Sequence, residues 1–453
     1  MYRLRAVLAA LTLGAPLAAN AAEITRIASS FEENDPFDLF IDVGFERTQT
    51  RAKITREQLD PLGENGRIEA SEVWFKGVDS RLNIDLAVGI YKDLEFSFGL
   101  PLILQQNDSY GYVSGTSDEN STIPNNCIRP DGTEITTVNP ETSLVERCSE
   151  TGSGAQGLFT VPSTSKRGGL GNMRFGLAYA FFNQADDDTK PTWILGIDYE
   201  APTAKLRDPS QDNTEATEER GNVGDRVHKY TFYTSFSRKL GVAEPYFRVH
   251  YTLPVTGPGI YSNCFNRTED GSSSPTLGTP KNCGSKDWNR KETGIKAPSM
   301  AGFVFGTEIA TYNNKNKNQQ FSLDLRTIGT YVSRGRYYNE LSSALHKLLV
   351  SQDYFQVGGM IGATASAGEA FRLRATGTFL YNTNHTLTDE DLGKDLNNNG
   401  RIDISPTVGE NKEEIPNEEL NPSFDYRTDL PSRRFRATES KTFRLELSAT
   451  FAF

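Results

Sequence analysis

From residue 37 onward, apolar side chains recur at every second position in short runs, and the links between runs alternate between short and long. A period of two belongs to an extended strand with one apolar and one polar face. Leu82, Ile84, Leu86, Val88 and Ile90 alternate with Asn83, Asp85, Ala87 and Gly89. A tight turn at Tyr91-Lys92-Asp93 follows, and then Leu94, Phe96, Phe98 and Leu100 alternate with Glu95, Ser97 and Gly99. This hairpin recurs down the chain. The alternation predicts twelve strands near 37–55, 72–90, 94–104, 170–183, 192–204, 229–239, 245–255, 299–311, 320–333, 353–366, 370–383 and 440–453.

Five of the predicted connections are short, about 3 to 8 residues, and six are medium or long, the largest near 105–169, 256–298 and 384–439. An even number of strands with short turns at one end and long loops at the other is what a transmembrane β-barrel requires. Each strand carries enough alternating positions to cross a bilayer when tilted. A closed barrel also pairs every backbone group, so no sheet edge meets lipid. A β-sandwich alternates too, but has no reason to alternate short and long connections.

Composition excludes the main rivals. Only 36% of the 453 residues are hydrophobic, too few for a polytopic helical membrane protein. Charged residues at 24% with 10% aromatics argue against wholesale disorder. A net charge of −11 is the wrong sign for a nucleic-acid binder, so no nucleic-acid partner is expected.

Residues 1–21 read as an export leader. Arg3 and Arg5 precede an apolar stretch from Ala6 to Leu17, and Ala19-Asn20-Ala21 fits the small-x-small rule for cleavage before Ala22. Export implies an oxidising compartment. Cys127, Cys148, Cys264 and Cys283 form two pairs 21 and 19 residues apart, each in a polar loop stretch. Disulfides 127–148 and 264–283 are the simplest of three connectivities. The chain ends FRLELSATFAF, an apolar stripe closing on Phe453. This resembles the terminal strand that outer-membrane barrels present to their assembly machinery, so Phe453 is expected to act as an assembly signal.

A narrower resemblance lies in residues 80–205. Gly89-Ile90-Tyr91-Lys92-Asp93-Leu94-Glu95 through Leu100-Pro101 resembles the G-x-T-D-x-L-E…LP hairpin of the phenol (meta-pathway) degradation family of outer-membrane transporters. Gly169-Leu170-Gly171-Asn172-Met173 to Tyr179 is similar to that family's G-L-G-D strand, and Ala201-Pro202-Thr203 resembles its P-T-G. This chain departs with Asn172 for Asp and Ala204 for Gly. The resemblance implies passage of small solutes, with hydrophobic or aromatic ones indicated.

Placing the apolar stripe outward, toward outer-membrane lipid, puts the opposite set in the lumen. The inward acids are Asp38, Asp42, Glu46, Asp85, Glu95, Asp198, Glu200, Glu308, Asp324 and Glu446, and the inward bases Arg174, Arg248, Arg326, Arg372, Arg374 and Arg444, with His250. Charges within a membrane wall are costly unless paired or solvated. Five acids on strands 1–3 facing arginines on strands 11 and 12 predict either a transverse field or a ladder of ion pairs at the seam. A twelve-stranded barrel falls between the filled interior of eight strands and the open channel of sixteen.

Catalysis finds little support: His250 has no local serine motif, and no catalytic residue is expected. Asp395, Asn397, Asn399 and Asp403, with Gly400, match the first nine positions of a calcium loop, but Pro406 stands where the bidentate carboxylate belongs. A solvated acidic loop is the blander reading, and no cofactor is expected beyond a weak Ca²⁺ site there. Leu341, Ala344, Leu345, Leu348 and Leu349 predict a short amphipathic helix over 342–350, on the barrel rim or in its mouth.

The expectation is therefore a leader over 1–21, a short periplasmic segment over 22–36, and a twelve-stranded outer-membrane β-barrel over 37–453. Three roles stay open. One is a small-solute channel, another a non-transport barrel working through its disulfide-closed loops, and the third an outer-membrane enzyme.

Overall fold

The computed structural model describes residues 22–31, 37–59, 66–125, 128, 157–211, 220–264, 282–314, 317–368, 370–404, 407–408, 414–415 and 418–453. Twelve antiparallel strands form one closed barrel: β1 Leu39–Leu59, β2 Arg67–Tyr91, β3 Leu94–Tyr112, β4 Met173–Phe182, β5 Thr192–Ala201, β6 Val227–Ser237, β7 Ala243–Thr256, β8 Met300–Asn314, β9 Gln319–Val332, β10 Tyr354–Ala367, β11 Phe371–Asn382 and β12 Phe435–Ala452. Neighbours in sequence are neighbours in space. The seam closes where β1 pairs with β12, from Phe40 opposite Ala452 up to Arg56 opposite Phe435. At its lower end Leu39 and Phe453 exchange both backbone hydrogen bonds, at 3.1 and 3.0 Å, so the final residue lies in the seam.

The apolar stripes form the outer belt. Val43, Phe45, Leu177, Phe232, Phe247, Phe305, Leu325, Ile361, Phe379, Leu445 and Leu447 are all exposed large hydrophobics. A soluble protein would bury these residues; on a closed barrel they are the surface that lipid covers. No helix among the described residues is long and apolar enough to cross a membrane, which leaves the crossing to the strands.

The strands differ from expectation mainly at their outer ends. β2 and β3 run 25 and 19 residues, well past the predicted 72–90 and 94–104. The polar run Gln105-Gln106-Asn107-Asp108 interrupts the apolar alternation without interrupting the ladder, since Ser80 to Val78 pair with Gln105 to Asn107. The neighbour of β3 is a divided strand. Ser163–Leu170 pairs with its outer part and β4 with its inner part. The break falls at Gly169, whose φ of +131° suits only glycine, and at Gly171, where a Cβ would lie 2.9 Å from Pro101.

Above the belt the inward face changes character. Ala52, Ile54, Val73, Phe75, Tyr110, Phe435 and Ala437 point inward and pack with Ile123, Leu341, Ala344, Leu349 and Leu387 from the loops. The predicted helix over 342–350 is corrected to one turn, Ser342–Leu345. His346 adopts a left-handed φ of 54° and ends it. Leu349–Ser351 then pairs with Gly335–Tyr337 as a small hairpin. Of the apolar residues read as a helix face, Leu341, Ala344, Leu348 and Leu349 are buried in this cap and Leu345 is partly buried against it.

The disulfide Cys264–Cys283 is formed in the loop between β7 and β8, with Cα atoms 5.5 Å apart. Cys127 and Cys148 lie outside the described residues.

Candidate functional site: the lumen and its strap

The residues just after the predicted cleavage site thread into the barrel instead of hanging below it. Residues 22–31 cross the lumen at the end bearing the short turns, from β7 and β8 on one side to β2 and β3 on the other. Ala22 N–H donates to Glu244 Oε1 at 2.7 Å and Glu23 N–H to Glu308 Oε2 at 3.2 Å. Thr25 Oγ1 bonds Ser237 Oγ at 2.7 Å. Ala28 N–H donates to Glu95 Oε2 at 2.7 Å, and Ser29 N–H to Asp38 Oδ2 at 3.1 Å. Ser30 Oγ donates to the Gly89 carbonyl at 2.6 Å, an approach so close that a Cβ on Gly89 would collide with the Ser29 backbone. Ile27 seats on Ala178, Ala180 and Ile194, small and apolar residues on the inward face of β4 and β5. Residues 22–31, the described part of the segment read from sequence as periplasmic, thus form a strap in the barrel interior.

The strap also brings charge. Arg26 pairs with Asp42 at 3.3 Å and Glu23 at 3.5 Å, and Arg372 pairs with Glu23 at 3.5 Å. Asp42 further accepts a hydrogen bond from Thr450. Asp42 and Asp85 are register partners on β1 and β2, and Arg174 neutralises Asp85 at 2.9 Å. Asp324, almost fully buried, is held by Arg326 at 2.6 Å, by Arg374 at 2.5 Å and by the Tyr246 hydroxyl. Arg248 lies over the Tyr233 ring at 3.7 Å and reaches Asp198 at 3.8 Å. Glu200 accepts from Lys229 at 2.8 Å.

The seam carries a ladder. Glu46 faces Glu446 across β1 and β12, with Arg444 at 3.6 Å and Arg81 at 3.8 Å from Glu46. The acids of strands 1–3 therefore meet cations locally, from the strap, β2 and β4, as well as facing the arginines of β11 and β12. Charges set across a narrow low-dielectric interior interact strongly, so local pairing is the arrangement that the wall tolerates.

Several members of this network escaped the sequence reading. Arg81 and Tyr246 share the inward parity of residues named on their own strands, and Lys229 lies opposite in parity to the outward Phe232, so the period of two was signal enough. Glu23 and Arg26 precede the first strand, and no periodicity marks them.

Among the described residues the lumen holds space at two levels. The lower, about 310 Å³, is lined by Glu23, Asp42, Asp85, Arg326, Arg374 and Glu446 among others. The upper, about 440 Å³, lies under the loop cap, between Phe75, Tyr337, Tyr338 and Tyr354 on one hand and Asp108, Arg167, Arg207 and His385 on the other. Asp108 Oδ2 accepts from Arg167 at 2.6 Å and from Ser343 Oγ at 2.7 Å, which ties the one-turn helix into the mouth of the barrel. His250 packs against Gly302 on β8, where a Cβ would sit 2.5 Å from its ring.

Two of the sequence motifs meet at the divided strand. Thr203 Oγ1 accepts from Met173 N–H at 2.9 Å, and Ala204 N–H donates to Asn172 Oδ1 at 3.1 Å. The Asn172 amide donates to Glu200 at 2.9 Å and to Asp225 at 3.3 Å.

In the candidate calcium loop, Asp395 accepts from Asn399 and Gly400 N–H at 3.1 and 2.8 Å, and Asp403 accepts from the Asn397 and Asn399 amides. Glu419, which the sequence reading did not name, accepts from the N–H groups of Leu396, Asn397 and Asp403. The side-chain oxygens are spent on the loop itself. Among the described residues no group of three or more His, Cys, Asp or Glu is placed to hold a metal ion.

A closed antiparallel barrel with an apolar belt, short turns at one rim and long loops at the other is the architecture of proteins of the bacterial outer membrane, and this chain is one of that class. No family model matches the chain, and no curated protein matches it. Among solved structures it is similar to the COG4313 outer membrane channel from Pseudomonas putida F1, at 9% identity over 97% of this chain and 100% of that one, with a TM-score of 0.41. It is similar to a Pseudomonas aeruginosa FadL homologue at 8% identity, over 92% and 90% of the two chains, with a TM-score of 0.34. The outer membrane protease OmpT from Escherichia coli matches at 7% identity, over 93% and 99%, with a TM-score of 0.27.

Proposed function

We propose that the protein is an outer-membrane channel for small solutes, closed at its periplasmic end by the strap of residues 22–31. The observation that carries this reading is the pair of spaces stacked in one lumen, a vestibule of about 440 Å³ above a charged chamber of about 310 Å³. A barrel serving only as a scaffold has no need of an interior walled by opposed ions around empty space. The vestibule's tyrosine faces and hydrogen-bonding groups suit a small aromatic solute with polar substituents. This agrees with the substrate class implied by the resemblance of residues 80–205.

The test is single-channel recording of the purified protein in planar bilayers, with liposome swelling to rank solutes. Steady conductance that grows when the strap is displaced supports the reading. Neutralising Arg372 and Arg374 is expected to shift reversal potentials toward cations, and neutralising Asp42 and Asp85 toward anions. The shifts should be largest in dilute buffer, because screening acts over about 10 Å at 0.1 M salt. A folded barrel that never conducts would favour the second reading, a non-transport barrel acting through its surface. That reading is supported by the compact, disulfide-held loop cap.

A further inference from the structure

Glu244 and Glu308 are register partners on β7 and β8, two carboxylates side by side on the inward face. Like charges opposite one another destabilise a sheet unless a cation joins them. Neither has a Lys or Arg nitrogen within 4.0 Å among the described residues. Arg372 pairs with Glu23 at 3.5 Å and acts on Glu308 only at longer range, as Lys239 does on Glu244. The start of the strap reaches both, with Ala22 N at 2.7 Å from Glu244 and Glu23 N at 3.2 Å from Glu308, while Ser322 Oγ donates to the other Glu308 oxygen at 2.6 Å. Ala22 is 1% exposed. Glu244 Oε1 also accepts from Ser237 Oγ at 2.7 Å, Ser237 takes the Thr25 hydroxyl, and Thr25 bonds back to the Ala22 carbonyl at 3.2 Å. The first residue of the strap is thus held in a closed polar ring around its own nitrogen.

We infer that Glu244, assisted by Glu308, is a binding site for the α-ammonium group of the mature chain, so that removal of the leader creates the cation that locks the strap. Hydrolysis of the Ala21–Ala22 peptide bond by a signal peptidase consumes one water. The carboxylate goes to Ala21, and the Ala22 amine is protonated. An amide N–H with one proton to donate then becomes an ammonium with three protons and a full charge, placed at a pair of acids that lacks a close side-chain cation. A charge-assisted bond of this kind is roughly twice as strong as the neutral one it replaces. The inference does not require that the barrel conduct.

The first measurement is the amino-terminal sequence of protein taken from outer membranes, where Ala22 is expected; any other start overturns the proposal. The second is acylation of the α-amine by an amine-reactive ester at pH 7, expected at least about tenfold slower in the folded protein than after denaturation. Equal rates would overturn it.

The decisive test separates charge from burial. Glu244→Gln is made in a chain starting at Ala22 and in one carrying a single extra residue before it, which moves the ammonium one residue away. In the first, the substitution is expected to speed unfolding in denaturant on the order of tenfold, since it strips the partner from a buried charge. In the second it should change the rate less than about twofold. An equal effect in both chains would show that Glu244 serves only as an acceptor for the Ala22 N–H and would overturn the proposal. Should the variant fail to fold, Glu308→Gln in the same two chains and the acylation ratio of the unaltered protein still decide it.

Discussion

The same strands build two different interiors. On the inward face of β1, Asp42 and Glu46 lie in the lower half and Ala52 and Ile54 in the upper; β2 passes from Asp85 to Phe75 and Val73, and β12 from Glu446 to Ala437 and Phe435. On β1 and β2 parity does not change, and on β12 a bulge near Glu439 shifts it by one residue, but on all three strands the company changes. Below, the inward residues face one another across a lumen and the polar strap, so they are ionic and locally paired. Above, they face loops that double back into the mouth, so they are apolar and form a core with Leu341, Leu349 and Leu387. The alternation states which way a side chain points. What it points at decides whether the chemistry there is charge or hydrocarbon.

The sharpest way to break this comparison is to empty the upper core. Phe435 is fully buried among the loops, and Phe435→Ala is expected to cost about 3–5 kcal/mol, by lost transfer energy and a cavity. Protease susceptibility of the outside loops on intact cells should rise while the lower barrel stays assembled. If barrel and loops fail together, the halves are one cooperative unit. Opening the Cys264–Cys283 bridge should act on the cap alone. Its 19-residue separation corresponds to about 3 kcal/mol in the chain-entropy model. Reduction should loosen the loop between β7 and β8 without altering the seam, read by hydrogen exchange. Peptide mapping of the same protein under non-reducing conditions checks the 127–148 pairing.

A third test sits on the boundary between the halves. Asn172 donates through its amide to both Glu200 and Asp225. Asn172→Asp, the residue that the resembling family carries, would set three carboxylates together here. It is expected to cost about 1–3 kcal/mol by turning donors into a repelled acceptor. Lys229, paired with both Glu200 and Asp225, limits the loss. A neutral outcome in denaturant melts would mean that this network is already solvated and fastens nothing.

Strand number, closure and outward belt were legible, because each follows from a period of two that recurs in every membrane-crossing run. The outer ends of β2 and β3 were not, because Gln105 to Asp108 and the inward switch to Val73 and Phe75 disturb the alternation while the hydrogen-bond ladder continues. The strap was illegible for a different reason. Ala22 to Ser30 has no regular period, and its seat is assembled from single residues far apart in sequence: Asp38, just before β1, and Gly89, Glu95, Ala178, Ser237 and Glu244 on five strands. The field expected between acidic and basic arcs was read from strand order alone. Arg26 and Arg174, which divide it into local pairs, lay one before the first strand and one on a strand counted with neither arc.

The smallest expected effect concerns pH and the cap alone. Burial, with the Glu390 carboxylate adding to it, pushes Asp429 up to about 6, against the pull of Lys347 and of the N–H groups of Glu390 and Asp425. Its neighbour Asp425 is also buried, which would raise it, yet Lys347 and Arg427 hold it down at about 2. The two make opposite contributions. Asp425 binds its proton less readily when folded, so its stabilisation is present above about pH 4 and is lost as pH falls toward 2. Asp429 binds its proton more readily when folded, so its stabilisation is present below about pH 4 and is lost as pH rises toward 6. Between pH 4 and 6 only Asp429 changes, and the cap should weaken across that window and then level off. In Asp429→Asn the decline should disappear, and at pH 7 the loops should resist protease better than those of the unaltered protein. The lower lumen offers a control in the same molecule, since release of the strap should not follow the Asp429 variant at any pH. A pH profile unchanged by that substitution would mean that Lys347 keeps Asp429 ionised throughout, and that the cap, like the lumen below it, is held by paired charge.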